Sequence, residues 1–443
     1  MTDDPRDDHP DPSRREFLGA AAAVAGAGAL FSGRTSLAGS QAPIRKARPR
    51  VPVRDGEPLR IGVIGPGGMG TGHVDRISKL AQEGRENVQI VALCDVCAPR
   101  FEGAQKLLKE RQGAEVDTYG EHEDLLARDD VHGVLIATTE HWHGPIAEDA
   151  ILAGKDVYVE KPMTLRLSEA LRLREVCRAN PEAIVQVGTQ YIAEEKYRRA
   201  KELIAAGAIG KPVWSQTSYC RAKRPDIGEW EYYAIDERWQ AGVNLDWERW
   251  CGWTGPADWD PVVYARWRRY KRYSTGIIGD LLVHEMTPLV MALDQGWPVR
   301  VTAAGGHYVD QAMENHDQVN LTVEFEGGHT LIVAGSTCNE QGLEKVVRGN
   351  KATMYLGSKD VVIRPERYWV DEVEEQRVEC PTIGDSQDEL RLNWLSCIRT
   401  REPNWSPVEL GTKIMVIVDL ATRSMWEGHA FGFDPKTMKS FAI

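Results

Sequence analysis

The amino-acid sequence predicts an α/β N-terminal domain on a doubly wound parallel sheet, followed by an α+β domain with a large, mostly antiparallel sheet. Three observations carry this. A short apolar run at residues 59–64 enters a glycine-rich turn and then a helical stretch at residues 73–81. Further apolar runs alternate with helical segments up to Gly188, the pattern of parallel strands joined by crossover helices. Beyond that point, runs of alternating polarity such as residues 319–325 and 330–334 read as half-buried strands. The division that follows is residues 58–188 for the first domain and 189–443 for the second. A linker at 43–57 and a segment of different character at 1–42 precede them.

Composition bounds the function. The chain has 443 residues, 42% hydrophobic and 27% charged, enough for two or three domains with their own cores. Acidic residues outnumber basic ones by 66 to 54, a net charge of −12, so the electrostatic footprint of a general nucleic-acid binder is missing. Eight cysteines are too sparse for a disulfide scaffold. Fourteen tryptophans against seven phenylalanines is the one unusual balance.

Within residues 1–42, Ser13-Arg14-Arg15-Glu16-Phe17-Leu18 leads into a weakly apolar, Ala- and Gly-rich run at residues 17–31. That run is short for a bilayer span. Paired arginines before such a stretch resemble a twin-arginine export signal, with Ala38 and Ala42 closing candidate cleavage sites. The expectation is export to the periplasm or beyond by the twin-arginine machinery; a membrane anchor or a flexible tail is the alternative.

The glycine-rich turn is Gly65-Pro66-Gly67-Gly68-Met69-Gly70, a G-x-G-x-x-G between a strand and a helix. Gly65 permits the tight turn, Gly67 lets a pyrophosphate approach the backbone, and Gly70 lets the helix pack on the strand. Gly68 and Met69 complete the turn into the helix, whose unpaired N–H groups and dipole favour phosphate. A second strand, residues 88–94, ends at Asp95, where a carboxylate can accept the ribose hydroxyls of NAD and would repel the 2′-phosphate of NADP. Arg100 nearby leaves NADP as the less favoured cofactor. Cys94 and Cys97 form a C-x-x-C around Asp95, but without a second pair they read as residues flanking a turn rather than a redox or zinc site.

A further strand at residues 131–137 runs into Thr138-Thr139-Glu140-His141-Trp142-His143, then a helix at 145–153. A strand at 156–159 leads to Glu160-Lys161-Pro162. Polar residues at the carboxyl ends of such strands face the ligand crevice. In an extended segment His141 and His143 share a face. No third ligand at suitable spacing supports a metal there, so none is assigned, and His143 suits a hydrogen-bonding role beside nicotinamide or substrate.

Together, the glycine turn, Asp95, residues 138–143, Glu160-Lys161-Pro162, the Val185–Gln190 stretch and Gly279-Asp280-Leu281-Leu282-Val283-His284 resemble the glucose–fructose oxidoreductase/inositol dehydrogenase (Gfo/Idh/MocA) family. The resemblance implies a catalytic set of Lys161, Asp280 and His284. It departs from the family at Leu282, Thr287 and Glu140. Thr138, His143, Glu160, Lys161 and Gln190 join the cofactor set, and Trp142 joins Lys161, Asp280 and His284 toward substrate. The chemistry agrees: oxidising a carbinol needs hydride removal by a nicotinamide and proton removal by a base such as His284. Asp280 and His284 share a face if helical, and Lys161 can stabilise alkoxide.

Seven tryptophans between Trp230 and Trp267 suit either stacking on sugar faces or a core or interface. The sequence therefore reads as an exported NAD-dependent oxidoreductase acting on a sugar, polyol or glycoside hydroxyl, with a tightly held cofactor and homo-oligomers through the C-terminal sheet. A redox-neutral glycosidase or lyase working through a transient keto-sugar, and a non-catalytic sugar-binding protein, are the rival readings.

Overall fold

Leu59–Ile64 (β1) is buried on both faces, which a strand covered by helices on each side requires. The computed structural model describes residues 43–222, 227–382 and 384–443, and the export signal read at residues 1–42 lies outside them. Residues 46–443 form one compact unit, to which everything below refers. After β1 come α1 (Gly68–Gln82), β2 (Val88–Cys94), α2 (Phe101–Gln112), β3 (Asp117–Tyr119), α3 (His122–Leu126), β4 (Gly133–Ile136), α4 (Glu140–Leu152), β5 (Asp156–Val159), α5 (Leu167–Ala179) and β6 (Val185–Val187). All six strands are parallel, in the order β3-β2-β1-β4-β5-β6. The order reverses between β1 and β4, so a crevice opens at their carboxyl ends.

Two helices begin earlier than the sequence suggests. α1 starts at Gly68, within the glycine turn. α4 starts at Glu140, ahead of Pro145, so residues 140–143 are its first turn and not an extended segment. Pro145 lacks the N–H that would bond the His141 carbonyl one turn back. The indole Nε1 of Trp253 donates to that oxygen instead (2.5 Å), which lets the helix run through the proline. His141 and His143 consequently point apart.

The second part contains α6 (Glu195–Ala205), β7 (Pro212–Cys220), the short α7 (Trp247–Cys251) and α8 (Pro261–Ala265), then α9 (Val283–Leu293). Strands β8 (Pro298–Gly306), β9 (Gln318–Phe325), β10 (Thr330–Ser336), β11 (Val346–Gly349), β12 (Ala352–Leu356), β13 (Asp360–Pro365) and β14 (Gln376–Glu379) follow. Helices α10 (Ser386–Thr400) and α11 (Val408–Glu427) precede a final hairpin, β15 (Phe431–Asp434) and β16 (Lys439–Ala442). These ten strands make one sheet, antiparallel except where β10 runs parallel to β7. Its central strands β9 and β10 alternate: Val319, Leu321, Val323, Leu331 and Val333 are buried, while Asn320, Thr322, Ile332 and Ala334 are partly or fully exposed. Among the described residues no helix is long and apolar enough to cross a membrane.

Two boundaries differ from the sequence reading. α10 does not stay with the second domain. Its Leu390, Trp394 and Ile398, spaced one turn apart, join the core formed by Leu59, Ile61, Ile90 and Tyr158. The stretch read as a linker is also tied down: Ala47 N donates to Asn180 Oδ1 (2.9 Å), Arg48 N to the Leu152 carbonyl (2.9 Å), and Arg50 pairs with Asp156.

Candidate active site

The crevice at the carboxyl ends of β1 and β4 is a cleft of 460 Å³ lined by the glycine turn, Asp95, Arg100, Thr138, Trp142, His143, Glu160, Lys161 and, from the second domain, Tyr233, Trp250, Trp267 and Arg268. Gly65 has φ +86°, and a Cβ on it would meet Thr138 N at 2.7 Å. A Cβ on Gly70 would overlap the Gly65 carbonyl, so the strand–helix approach needs both glycines. Gly67 and Gly68 have open space beside them. That is room for a pyrophosphate at a helix N-terminus, and the sequence-predicted Gly65, Gly67, Gly68 and Met69 all line it.

Asp95 sits at the tip of β2 and accepts from Cys97 N (2.9 Å). Burial pushes its carboxyl up to about 6, partly offset by that bond and by Arg100. Arg100 stacks on Trp239 (4.4 Å) and donates to the Tyr264 hydroxyl (3.3 Å), which draws it onto the aromatic cluster. Cys94 and Cys97 are free, buried thiols, both raised by burial. The residues present therefore fit NAD: an open glycine cradle for the pyrophosphate and a carboxylate where the adenosine ribose belongs.

At the other end, a buried chain of polar groups stands behind Lys161. Arg391, on α10, donates through Nε to His73 Nδ1 (2.9 Å), and His73 Nε2 meets Glu160 Oε1 at 2.8 Å. With Arg391 donating to Nδ1, the imidazole donates through Nε2 to Glu160. Burial alone would raise the Glu160 carboxyl; the His73 bond and Lys161 outweigh it and bring it to about 2. Glu160 Oε2 also accepts from Lys161 N (3.1 Å). The helix that the sequence boundary assigned elsewhere thus braces the Glu160-Lys161 turn.

Lys161 Nζ donates to the Asp280 carbonyl (2.8 Å) and to Asp280 Oδ1 (3.0 Å), joining the two domains. The same Oδ1 accepts from Arg268 Nε (2.8 Å). Burial would raise the Asp280 carboxyl, but the two cations hold it well below the usual carboxylate range. Asp280 lies in a π-helical turn, Ile278–Leu282, that leads directly into α9. This widened turn changes the simple one-face relation to His284 expected from helical spacing.

His284 is nearly buried, packed against the rings of Tyr191 (5.6 Å) and Tyr219 (6.2 Å). Its Nδ1 is buried with no hydrogen-bond partner among the described residues. Burial first, and Lys161 second, push its imidazole down to about 3, so the ring is neutral. Of the predicted catalytic set, Lys161 and Asp280 are brought together. His284 lies within their electrostatic reach but bonds neither, and neither Asp280 nor His284 is among the residues lining the cleft.

Several assignments change. Both nitrogens of His143 face backbone carbonyls, Pro162 O (2.7 Å) and Thr138 O (3.2 Å); burial keeps the ring neutral, so its one N–H is turned onto one of these carbonyls rather than offered to a cofactor. Trp142 lines the cleft, but its Nε1 donates to the Trp250 carbonyl (2.9 Å) and its ring packs on Gly252 and His122, a clasp between α4 and α7 rather than a free sugar platform. Gln190 opens a 3₁₀ turn and does not line the cleft. Glu140, where the sequence departs from the family pattern, is fully buried and accepts from Ser274 Oγ (2.6 Å), Thr275 N (2.9 Å) and Thr275 Oγ1 (3.1 Å), anchoring that loop. Burial raises its carboxyl to about 7. Most of the tryptophan-rich stretch is core: Trp239, Trp247 and Trp250 pack with Cys97, Tyr264 and Tyr273, with Trp247 stacked on Trp250 at 4.6 Å.

Arg268, His73 and Arg391 were not singled out from the sequence. For Arg268 a signal existed: residues 266–272 carry five basic residues in an otherwise acidic chain. For His73 and Arg391 none did, because more than three hundred positions separate them.

A parallel nucleotide-type domain with a glycine cradle and strand-end carboxylate, closed by an antiparallel second domain that supplies an Asp–Arg pair to its lysine, defines a two-domain dinucleotide-binding class. Within it, the chain belongs to the Gfo/Idh/MocA family: residues 59–189 match that oxidoreductase family's NAD-binding Rossmann fold and residues 257–432 its C-terminal alpha/beta domain. It is similar to inositol 2-dehydrogenase 3 of Saccharopolyspora erythraea, 30% identical over 43% of this chain and 53% of that one. It is also similar to the inositol 2-dehydrogenase of Pseudomonas savastanoi, 34% identical over 39% of this chain and 48% of that one. The chain thus spans about half the length of the curated relatives it matches. In fold it is similar to an NAD-binding oxidoreductase from Klebsiella pneumoniae, with a TM-score of 0.63 and 20% identity over 84% of this chain and 98% of that one.

Proposed function

We propose that this protein is an exported oxidoreductase that removes hydride from a hydroxyl-bearing carbon of a sugar, polyol or glycoside, using an NAD held in the cleft. The observation that carries this is the meeting of Lys161, at the nucleotide crevice, with Asp280 and Arg268 from the second domain. When bound, NAD supplies the hydride acceptor. Gly65, Gly67, Gly68, Met69 and Asp95 would hold its adenosine and pyrophosphate. Lys161 has three donors and spends two on Asp280, which leaves one for the reacting oxygen and its developing charge. Asp280 stays ionised and fixes the lysine. His284, neutral and beside them, can accept the hydroxyl proton. Inositol 2-dehydrogenases among the relatives support a polyol or sugar hydroxyl as the substrate class.

Export rests on the twin-arginine pattern at Ser13–Leu18, and that route implies that the cofactor leaves with the folded protein. The outward face of the ten-stranded sheet, with Trp214, Ile332 and Ala334 half-buried, is the surface on which we place a homo-oligomer.

The test is single-turnover reduction of protein-bound NAD by a panel of polyols, sugars and glycosides, followed at the absorbance of the reduced nicotinamide. His284→Ala should slow it by about two to four powers of ten with NAD affinity nearly kept, and Lys161→Ala should slow it while weakening NAD. Parent rates in both variants would overturn the assignment.

A further inference from the structure

We infer that the substrate of this cleft carries a carboxylate, as a sugar acid of the uronate or aldonate class, and that Arg268 binds it. The inference rests on the carbohydrate oxidation proposed above and names its substrate class.

Arg268 lines the cleft together with Lys161, Tyr233 and Trp267. Its guanidinium is set in place before any ligand arrives. Nε is committed to Asp280 Oδ1 (2.8 Å), and one face lies over the Trp267 ring (4.2 Å) with Tyr233 further off (5.7 Å). Neither Nη atom bonds any described residue, and the side chain is 21% exposed. A planar fork with its outer donors free and its plane fixed by stacking is the form that recognises a carboxylate through two parallel bonds.

The free donors, not a net charge, select the ligand. Lys161 and Arg268 converge on one oxygen of Asp280, and the ionised Glu160 beside Lys161 balances the positive charge this leaves. His284 adds none, since the ring is neutral. Arg249 is paired with Glu121 and Glu123. With the carboxylates of the site already engaged, the unpaired Nη donors of Arg268 are the place for an anionic group of the substrate, and a carboxylate matches their planar fork. Trp267 and Tyr233 beside the fork offer the ring faces on which sugar C–H groups stack.

Because the carboxylate contact is the same before and during hydride transfer, it should act on KM and leave kcat within a few-fold. The experiment compares glucose, glucuronate and glucose 6-phosphate, and the matching galactose set, in single-turnover reduction of the bound NAD, with the half-saturating concentration read as KM and the limiting rate as kcat. The uronates should show a KM lower than the neutral hexoses by about 10- to 100-fold, the effect of one charge-assisted bidentate contact. Arg268→Gln should collapse that KM ratio toward one, and Arg268→Lys should restore part of it, which a merely structural role would not produce. Three results overturn the inference: neutral hexoses preferred by the parent, phosphate esters preferred over uronates, or an Arg268→Gln variant that raises all KM values equally. Oxidation of neutral hexoses alone defeats this inference and leaves the proposed function standing. If no carbohydrate reduces the NAD, both fall.

Discussion

Replacing Asp280 by Asn removes one charge and keeps the shape. In the parent, Asp280 Oδ1 receives Lys161 Nζ at 3.0 Å and Arg268 Nε at 2.8 Å, and all three side chains are largely withdrawn from water. With charge centres about 4 Å apart and an effective dielectric near 20, each cation attracts the carboxylate by roughly 4 kcal/mol. Desolvating the carboxylate offsets a large part of that sum, so a net loss of about 2–4 kcal/mol is expected for Asp280→Asn. In a chain of this size that lowers Tm by about 2–5 °C. The pH dependence makes the prediction specific. Asp280 has a folded pKa below its unfolded value, because Lys161 and Arg268 outweigh its burial. Its stabilisation is therefore fully present above pH ~4 and lost as pH falls below that. The melting difference between parent and Asp280→Asn should be constant from pH 5 to 8 and shrink below pH 4. Calorimetry across that range, with single-turnover rates on the same samples, is the assay. Turnover should fall about 10- to 100-fold, less than for His284→Ala, since Asp280 lies behind the cations it positions. An unchanged Tm, or a difference that persists undiminished at pH 3, would refute the reasoning.

Asp95→Ala should narrow a preference for NAD over NADP, read by titrating both nucleotides against cofactor-stripped protein; equal or tighter NADP binding in the parent contradicts the role given to Asp95. Gly70→Ala should abolish measurable NAD binding, because its Cβ would overlap the Gly65 carbonyl, and equilibrium dialysis against NAD decides it. Stability should peak near pH 6–7. Burial lowers His141 and His284 to about 3 and His132, His316 and His329 to about 4, so stability is lost as pH falls below the ordinary histidine value of 6.5. Glu140 and Glu169, raised by burial to about 7 and about 8, act in the opposite sense and lose their contribution as pH rises through those values. Thermal melts that keep rising to pH 9, or peak at pH 5 or lower, would count against this balance. Denaturing extensively dialysed protein should release close to one NAD per chain, and recovery far below that would contradict a retained cofactor.

Local chemistry in the sequence determined the nucleotide half of this protein. A turn that must fit between a strand and a helix needs glycine at Gly65 and Gly70 wherever the rest of the chain lies, and a strand-end Asp95 faces the crevice because parallel strands end there. Strand alternation in β9 and β10 is equally local, since period two follows from the pleat. Even so, Pro145 misplaced the start of α4, because the group that satisfies its orphaned carbonyl is Trp253, more than a hundred residues away. The same limit hid the His73–Arg391 brace and the return of α10 to the first core: one face of a helix records that it is buried, not against what. His143 and Trp142 carry hydrogen-bonding and aromatic chemistry suited to a site, yet tertiary structure turns the one N–H of His143 onto a backbone carbonyl, Pro162 or Thr138, and the indole N–H of Trp142 onto Trp250. Arg268 is the converse, an unremarkable residue in a basic run until folding sets it over Asp280 beside Lys161. Sequence fixes which groups a residue can offer. Only the packed chain decides which of them are already spent, because hydrogen bonds and charges are satisfied by neighbours in space.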